Sequence, residues 1–380
     1  MIKIFVTGDN HFGKKYDRYP QIRDQLLESR FVCLENMVKE DEKQGCGLFV
    51  VTGDLFDSII GIKVTDVKRV ENILVGFAGS VIVLPGNHDY YTGEEKVWND
   101  FHKALSSVDH NITLITEYRK YEFEQGEDKV VVYPAFCDSK HAKENKLGWI
   151  KAEDISKDGV INIGIAHGAL KGITPDMKEE YFLMTEKELI SIPVDVWLIG
   201  HTHIPYPAEL SADEDTYSYR IFNAGTHEQT DLHNNTAGYG FIITIEKNGV
   251  ESKVAARKYV SGRIRYYDLT VKVAPDSETA LSDAISKAVE GIAENSIVRV
   301  KVSGSVKQFE YQERGKIYKD HLEKYLTYEV EDAELSEEIT MDVIQTEYAE
   351  TSLASRLLAE LMDNSTELQM AYDLLKECRE

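Results

Sequence analysis

Hydrophobic positions in the first 245 or so residues fall in short, β-branched runs separated by longer amphipathic stretches. The runs are Ile2–Val6, Leu48–Val51, Val81–Leu84, Val160–Ile165, Val194–Ile199 and Tyr219–Phe222. Runs of this length and composition predict buried strands. Between them, Gln21–Glu40 sets Ile22, Leu26, Leu27, Phe31, Leu34 and Val38 at helical spacing. The pattern is that of an α/β fold with at least one large layered sheet.

From about residue 250 the pattern changes. Tyr266–Val273 reads as a strand and Asp276 as a helix N-cap. Ala280, Leu281, Ala284, Ile285, Ala288, Val289 and Ile292 then form one helical face, and Ile297–Val302 alternates with one polar face. This β-α-β unit predicts a small second domain. Glu329–Glu350 carries nine acidic residues and no Lys or Arg, and reads as a solvated, partly disordered connector. Helical spacing returns in Leu353, Leu357, Leu358 and Leu361, then in Leu368, Ala371, Leu375 and Cys378. The expected domains are residues 1–260, 261–340 and 341–380.

Composition changes the picture little. Hydrophobic residues make up 42%, enough for a sizeable core. No apolar run reaches the length of an ordinary transmembrane helix, so no membrane association is expected. Met1–Val6 is too short for a signal peptide and reads as the first strand. Cys33, Cys46, Cys137 and Cys378 are scattered, without a CxxC pair, which predicts reduced thiols in a cytoplasmic protein.

The chemistry lies at the ends of the strands. Gly8-Asp9-Asn10-His11 comes after the first, Gly53-Asp54-Leu55-Phe56-Asp57 after the second and Gly86-Asn87-His88-Asp89 after the third. His167-Gly168 and Gly200-His201-Thr202-His203 come after the next two. The carboxyl edge of an α/β sheet is where ligands bind, and glycines let the chain turn sharply there. One Asp or His after a strand is usually a cap or turn residue; five such motifs in order are not. Mixed imidazole and carboxylate donors suit Mn²⁺, Fe²⁺ or Zn²⁺, whereas Ca²⁺ and Mg²⁺ prefer all-oxygen shells. An Asp at the centre can bridge two ions, and a water held between two ions loses its proton more easily and can attack phosphorus in line. His88, beside the expected ligand Asn87, is the natural group to protonate the leaving oxygen. His102, His110, His141 and His321 lie in no such motif and read as surface residues. Asn223-Ala224-Gly225-Thr226-His227 also follows a strand, which makes its residues candidates for the pocket wall, more readily than it makes His227 a direct participant.

In this order the motifs, DxH, GDxxD, GNHD, H and GHxH, resemble the calcineurin-type metallophosphoesterase superfamily over about Met1 to Thr226. The resemblance implies a four-layer αββα sandwich, a small α+β capping domain and a helical C-terminal tail. It implies two divalent ions, Mn²⁺ first among them. Asp9, His11 and His203 would hold one, Asn87, His167 and His201 the other, and Asp54 would bridge. His88 would act at the leaving group, with Asp89 orienting it. Within the superfamily the chain is most similar to the SbcD-type DNA repair exonucleases. Gly53-Asp54-Leu55-Phe56-Asp57, the proline in Gly200-His201-Thr202-His203-Ile204-Pro205 and the appended β-α-β unit carry that similarity. It implies a DNA exonuclease or endonuclease subunit, a homodimer, and an SMC-like ATPase partner of the SbcC type bound through the C-terminal helices.

The net charge of -23 counts against a stand-alone, tight DNA binder, though not against a nuclease that a partner delivers. One basic stretch runs the other way. Lys253, Arg257, Lys258, Arg263 and Arg265, interleaved with Tyr259, Tyr266 and Tyr267, have no acid among them. Arg257, Lys258, Arg263 and Arg265 are therefore candidate substrate contacts, against the plain reading of an alternating strand with a solvated basic face. The competing enzyme readings are a phosphodiesterase for cyclic nucleotides or other small phosphodiesters, and a protein phosphatase. A non-catalytic scaffold is the competing non-enzyme, and no ligand is missing from the motifs to support it.

Overall fold

A computed structural model describes residues 1–156, 159–174, 178–208, 219–275 and 277–378. The chain divides into two compact units, Met1–Tyr266 and Tyr267–Glu380. Asp276, the expected N-cap, lies outside the described residues.

The first unit runs β1 (Ile2–Thr7), α1 (Arg23–Gln44), β2 (Leu48–Val51), α2 (Val64–Val75), β3 (Ser80–Val83), α3 (Lys96–Leu105), β4 (Ile112–Leu114), β5 (Tyr121–Gln125) and β6 (Asp128–Ala135). It continues with β7 (Val160–His167), α4 (Glu186–Ser191), β8 (Val196–Gly200), β9 (Ile221–Asn223), β10 (Tyr239–Asn248) and β11 (Glu251–Val260). One six-stranded sheet has the order β11-β10-β1-β2-β3-β4 and a five-stranded sheet the order β5-β6-β7-β8-β9. β1 to β4 pair in parallel, as do β6 to β9.

Strand alternation builds the layers. Ile2, Ile4, Val6, Leu48, Val50 and Ile82 face Val130, Val132, Ile161, Ile163, Ile165 and Val196 of the other sheet in one core. The alternate residues Phe5, Phe49, Val51, Val81 and Val83 pack on Leu34, Val70 and Phe101 of α1, α2 and α3. On the far side Val131, Tyr133, Trp197 and Ile199 pack on Leu147, Ile150 and Leu189. This is the α/β sandwich expected. A parallel strand buried on both faces has no polar face to show, which is why its sequence is a continuous apolar run.

The second unit holds β12 (Arg265–Val273, starting at the boundary), α5 (Ala280–Ala288), β13 (Ser296–Val306), α6 (Gln308–Leu322), β14 (Thr327–Glu337), α7 (Met341–Glu347), α8 (Leu353–Glu360) and α9 (Ser365–Glu377). α5 and α6 cover one face of the sheet β12-β13-β14, with Leu281, Ile285, Val298, Val300 and Leu322 in the core. Arg299 projects from the other face and is paired with Asp268 at 2.8 Å.

The acidic stretch 329–350 is not the disordered connector its composition predicts. Its first half is the strand β14, paired in parallel with β13, and α7 follows. Leu335, Ile339, Ile344 and Tyr348 are buried while Glu329, Glu331 and Glu334 face solvent. A spaced set of apolar side chains with two cores to enter outweighs the repulsion of well-solvated carboxylates. α7, α8 and α9 close a small core of their own around Ile344, Tyr348, Leu358, Leu368 and Tyr372.

Candidate metal centre

The parallel strands β1, β2, β3, β7 and β8 all end on the same side of the sandwich, and the five motifs meet there. Asp9 and His11 follow β1, Asp54 follows β2, and Asn87 and His88 follow β3. His167 closes β7, and His201 and His203 follow β8. Tight turns make this possible. Gly53 has φ +106, and a Cβ on it would strike the His167 ring; one on Gly86 would strike the Asp54 carboxylate. Asp9, His11, Asp54 and His201 themselves adopt left-handed backbone, with φ of 48, 47, 51 and 94. Such residues store about 1–3 kcal/mol each and gather at functional sites.

Among the described residues the donor clusters Asp9–His11–His203 and Asp54–His167–His201 result, and a third, His11–Asp57–His88, shares His11 with the first. His11 Nε2 and His203 Nε2 are 3.1 Å apart. His167 Nε2 and His201 Nδ1 converge on Asn87 Oδ1 at 3.0 and 2.8 Å. Asp54 Oδ2 lies between the clusters, 3.4 Å from His167 Nε2 and 3.9 Å from His11 Nε2. Its Oδ1 accepts the His88 amide at 2.8 Å.

This donor set fits divalent cations. His167 Nδ1 donates to the Thr52 carbonyl at 2.8 Å, and His11 Nδ1 faces Asp57 Oδ1 at 3.2 Å. The Thr52 carbonyl holds a proton on His167 Nδ1 and turns Nε2 inward toward Asp54, the arrangement of metal-binding histidines. Asp9, Asp54 and Asp89 are at most 1% exposed. Burial pushes the Asp9 carboxyl up to about 8, with the Asp54 charge adding to it and His167 opposing. Burial works against ionised Asp54 too, but His167 and His11 hold it well below the usual range. Burial alone would depress His167, yet the Asp54 carboxylate raises it to about 9. Burial lowers His203, and His11 lowers it further. Crowded, buried carboxylates, with imidazoles such as His11 and His203 that burial keeps from ionising, are a site that cations stabilise.

Other expected residues land elsewhere. The Asp89 carboxylate accepts the Gly86 and Phe56 amides at 2.7 and 2.9 Å, and burial raises it to about 7. It therefore ties two loops together, and the expected orientation of His88 by Asp89 is not found. His88 Nδ1 donates instead to the Asp57 carbonyl at 3.0 Å. His227 is fully buried behind the site, against Phe12 and the Arg30 carbonyl. His102, His110 and His141 are exposed, and His321 bonds Ser282 at 2.9 Å.

The basic stretch does not make one stripe. Val254 and Ala256 enter the core between the sheets, so Arg257 projects from the opposite face, where its charge reaches Cys46. Lys258 points the other way and donates to the Ala208 carbonyl at 2.7 Å. Successive strand residues cannot share a face. Arg265 is bonded to Gln229 Oε1 at 3.2 Å, and the Arg263 charge acts on Glu28.

Sequence reasoning missed three contributors. Asp57 was legible as part of its motif but not as the partner of His11. Thr52 acts through its carbonyl and has no side-chain signal. Tyr181 lies in a charged stretch between strands. Its ring stands 5.0 Å from that of His201 at 31°, and the exposed His141 ring is 5.0 Å beyond it.

Residues 2–205 match the family of calcineurin-like phosphoesterases, and the chain belongs to that family. Its chemistry is metal-dependent phosphoester hydrolysis. No curated protein matches the chain. Among solved structures it is similar to the calcineurin-like phosphoesterase YfkN from Bacillus subtilis, at 14% identity and TM-score 0.39, over 68% of this chain and 90% of that one. It is also similar to a dimetal phosphatase from Danio rerio, at 10% identity and TM-score 0.37, over 68% of this chain and 98% of that one. Among the described residues, no helix is long and apolar enough to cross a membrane.

Proposed function

We propose that the chain is a DNA nuclease subunit of the SbcD type, cleaving phosphodiesters with two Mn²⁺ ions. The observation that carries this reading beyond phosphoester hydrolysis is the ring ladder His201–Tyr181–His141, which leads from a metal-cluster histidine to the exposed His141. Aromatic rings beside a phosphate site suit the base of a nucleotide, since stacking is worth about 1–3 kcal/mol per base and tolerates any sequence. The ions, when bound, supply the nucleophile and offset charge on the phosphoryl oxygens. The chain's own work is to hold the donors, to turn the His88 ring through its bond to the Asp57 carbonyl, and to seat the base.

The test is a substrate panel with Mn²⁺: single-stranded DNA, duplex ends, hairpins, a cyclic nucleotide and a chromogenic phosphodiester. DNA cleavage that is lost on chelation and weak with Mg²⁺ alone is the expected result. Tyr181→Ala should raise KM for DNA about 5–100-fold, from the loss of one stacking contact, and leave the chromogenic ester nearly unchanged. Activity that survives exhaustive chelation sinks the metal reading. A cyclic nucleotide turned over fast, with no DNA cut, selects the small-substrate phosphodiesterase, for which the same ladder would hold the base.

The partner proposals rest on the resemblance: a homodimer, and an SMC-like ATPase that takes the C-terminal helices. Leu353 and Leu357 of α8 are 83% and 41% exposed, and Met370 and Leu374 of α9 are 62% and 57% exposed, which supports a surface awaiting cover. Truncation before Met341 is expected to abolish co-purification with the ATPase while leaving chromogenic esterase activity intact. Equal retention of the ATPase by both chains defeats the docking proposal. A cytoplasmic location is proposed from the free thiols.

A further inference from the structure

Arg30, on α1, is 0% exposed, an unusual place for a guanidinium. Its Nε donates to the Tyr16 hydroxyl at 2.7 Å and its Nη1 to the Asn10 carbonyl at 2.8 Å. Both acceptors are neutral. The nearby Glu228 carboxylate is occupied by Ser29 and Cys33 at 2.6 and 2.9 Å and by the Arg263 and Ile264 amides. Burying a cation without a close counter-charge costs several kcal/mol. No apolar residue of the same volume would incur that cost, so the guanidinium must do something an apolar side chain cannot.

The acceptor it chooses shows what that is. Asn10 stands between Asp9 and His11, which belong to the same donor cluster. Both neighbours are held in left-handed backbone, at φ 48 and 47. Their amides are fastened to the Gly53 and Asp54 carbonyls at 2.9 Å each. The peptide carbonyl between them points the other way, into the protein, where Arg30 takes it. Without that bond the carbonyl is buried and unpaired, and two strained residues are free to relax toward right-handed backbone. Either movement swings Asp9 and His11 away from His203. Tyr16, itself 7% exposed, braces the guanidinium from the other side.

We propose that Arg30 is a positioning residue for metal binding, holding the Asn10 carbonyl so that Asp9 and His11 stay aimed at one ion. The inference rests on the assignment of Asp9, His11 and His203 to that ion. Charge and clamp predict opposite signs, which makes the role testable. If only its charge mattered, removing a buried cation beside two metal sites would tighten Mn²⁺ binding. If the clamp matters, removing it loosens one ion.

The experiment titrates metal-stripped, full-length protein with Mn²⁺, reading stoichiometry and affinity by calorimetry and free Mn²⁺ by electron paramagnetic resonance. The metal-free unfolding temperature is measured alongside. Arg30→Met is expected to weaken one of two ions about 10–100-fold, the range for lost outer-shell support, and leave the other unchanged. Arg30→Lys, which reaches only one of the two acceptors, should recover part of that loss. Tyr16→Phe keeps charge and shape, removes the brace, and should weaken the same ion by a smaller factor. Unchanged or tighter binding of both ions by Arg30→Met overturns the proposal, whatever happens to its unfolding temperature. Should Arg30→Met not fold, unchanged binding by Tyr16→Phe overturns it and weakened binding supports it. A wild-type chain that takes up fewer than two Mn²⁺ overturns the metal assignment beneath the proposal, a failure visible before any variant is made.

Discussion

His88→Ala is expected to slow phosphodiester cleavage by about 10²–10⁴ while both ions remain bound, the loss typical of a missing general acid. Three contacts set the expectation. The His88 amide donates to Asp54 Oδ1 at 2.8 Å, so the main chain, which the substitution spares, supports the central carboxylate. The imidazole Nδ1 donates to the Asp57 carbonyl at 3.0 Å, which leaves Nε2 to meet substrate. The ring stands perpendicular to that of His11, with centroids 4.8 Å apart, beside the donor clusters. A different geometry is also present, since His11, Asp57 and His88 themselves form a compact donor trio. Metal content by elemental analysis, measured beside kcat, separates the two. Two ions and a depressed kcat fit the acid; loss of an ion along with activity makes His88 a ligand and reassigns the motif.

The five site motifs were legible because each lies at the end of a parallel strand buried on both faces, where an abrupt change from apolar residues to Gly-Asp, Gly-Asn, His-Gly or Gly-His is conspicuous. Edge strands hide better. β5 alternates Glu122 and Glu124 with Tyr121 and Phe123, and β4 has three residues with Thr113 in the middle. β6 carries Pro134, a residue that argues against a strand, although Val130 and Val132 are fully buried. The antiparallel β10 escaped the reading too, and β11 entered it only as an alternating strand with a solvated basic face, without the consequence that Arg257 and Lys258 point to opposite faces. Strand alternation alone dictates those opposite faces, once a strand is recognised. The outer-shell partners were beyond reach for a different reason. The Thr52 carbonyl meets His167 across 115 residues of sequence, and that meeting exists only once two sheets have stacked. The acidic 329–350 segment misled because composition reports average solvation, while a strand needs only its alternate residues to be apolar.

Asp54→Ala should abolish activity and, unlike His88→Ala, strip the protein of metal. Asp54 brings one carboxylate oxygen toward histidines of both clusters: its Oδ2 lies 3.4 Å from His167 Nε2 and 3.9 Å from His11 Nε2. A ligand shared by two ions lowers both affinities when removed, whereas a ligand to one ion lowers one. Its charge matters as much as its position. The pair Asp54–His167 is buried, and ionised Asp54 raises His167 to about 9 in the metal-free chain. Asp54 and His167, once that proton is lost, would together hold a divalent ion in its place. Without Asp54, His167 loses that pull and the two clusters lose their link. Asp54→Asn is the sharper variant, because its Oδ1 still accepts the His88 amide while the charge is gone. Thermal unfolding with and without Mn²⁺ gives the measurement. Saturating metal stabilises a chain that binds it by about 2.7 kcal/mol per site at one hundred times Kd. The wild-type chain and His88→Ala should show that stabilisation, and Asp54→Asn and Asp54→Ala should show little or none. A full metal-induced rise in Asp54→Ala would mean that each cluster binds its ion independently, and Asp54 would then be no bridge.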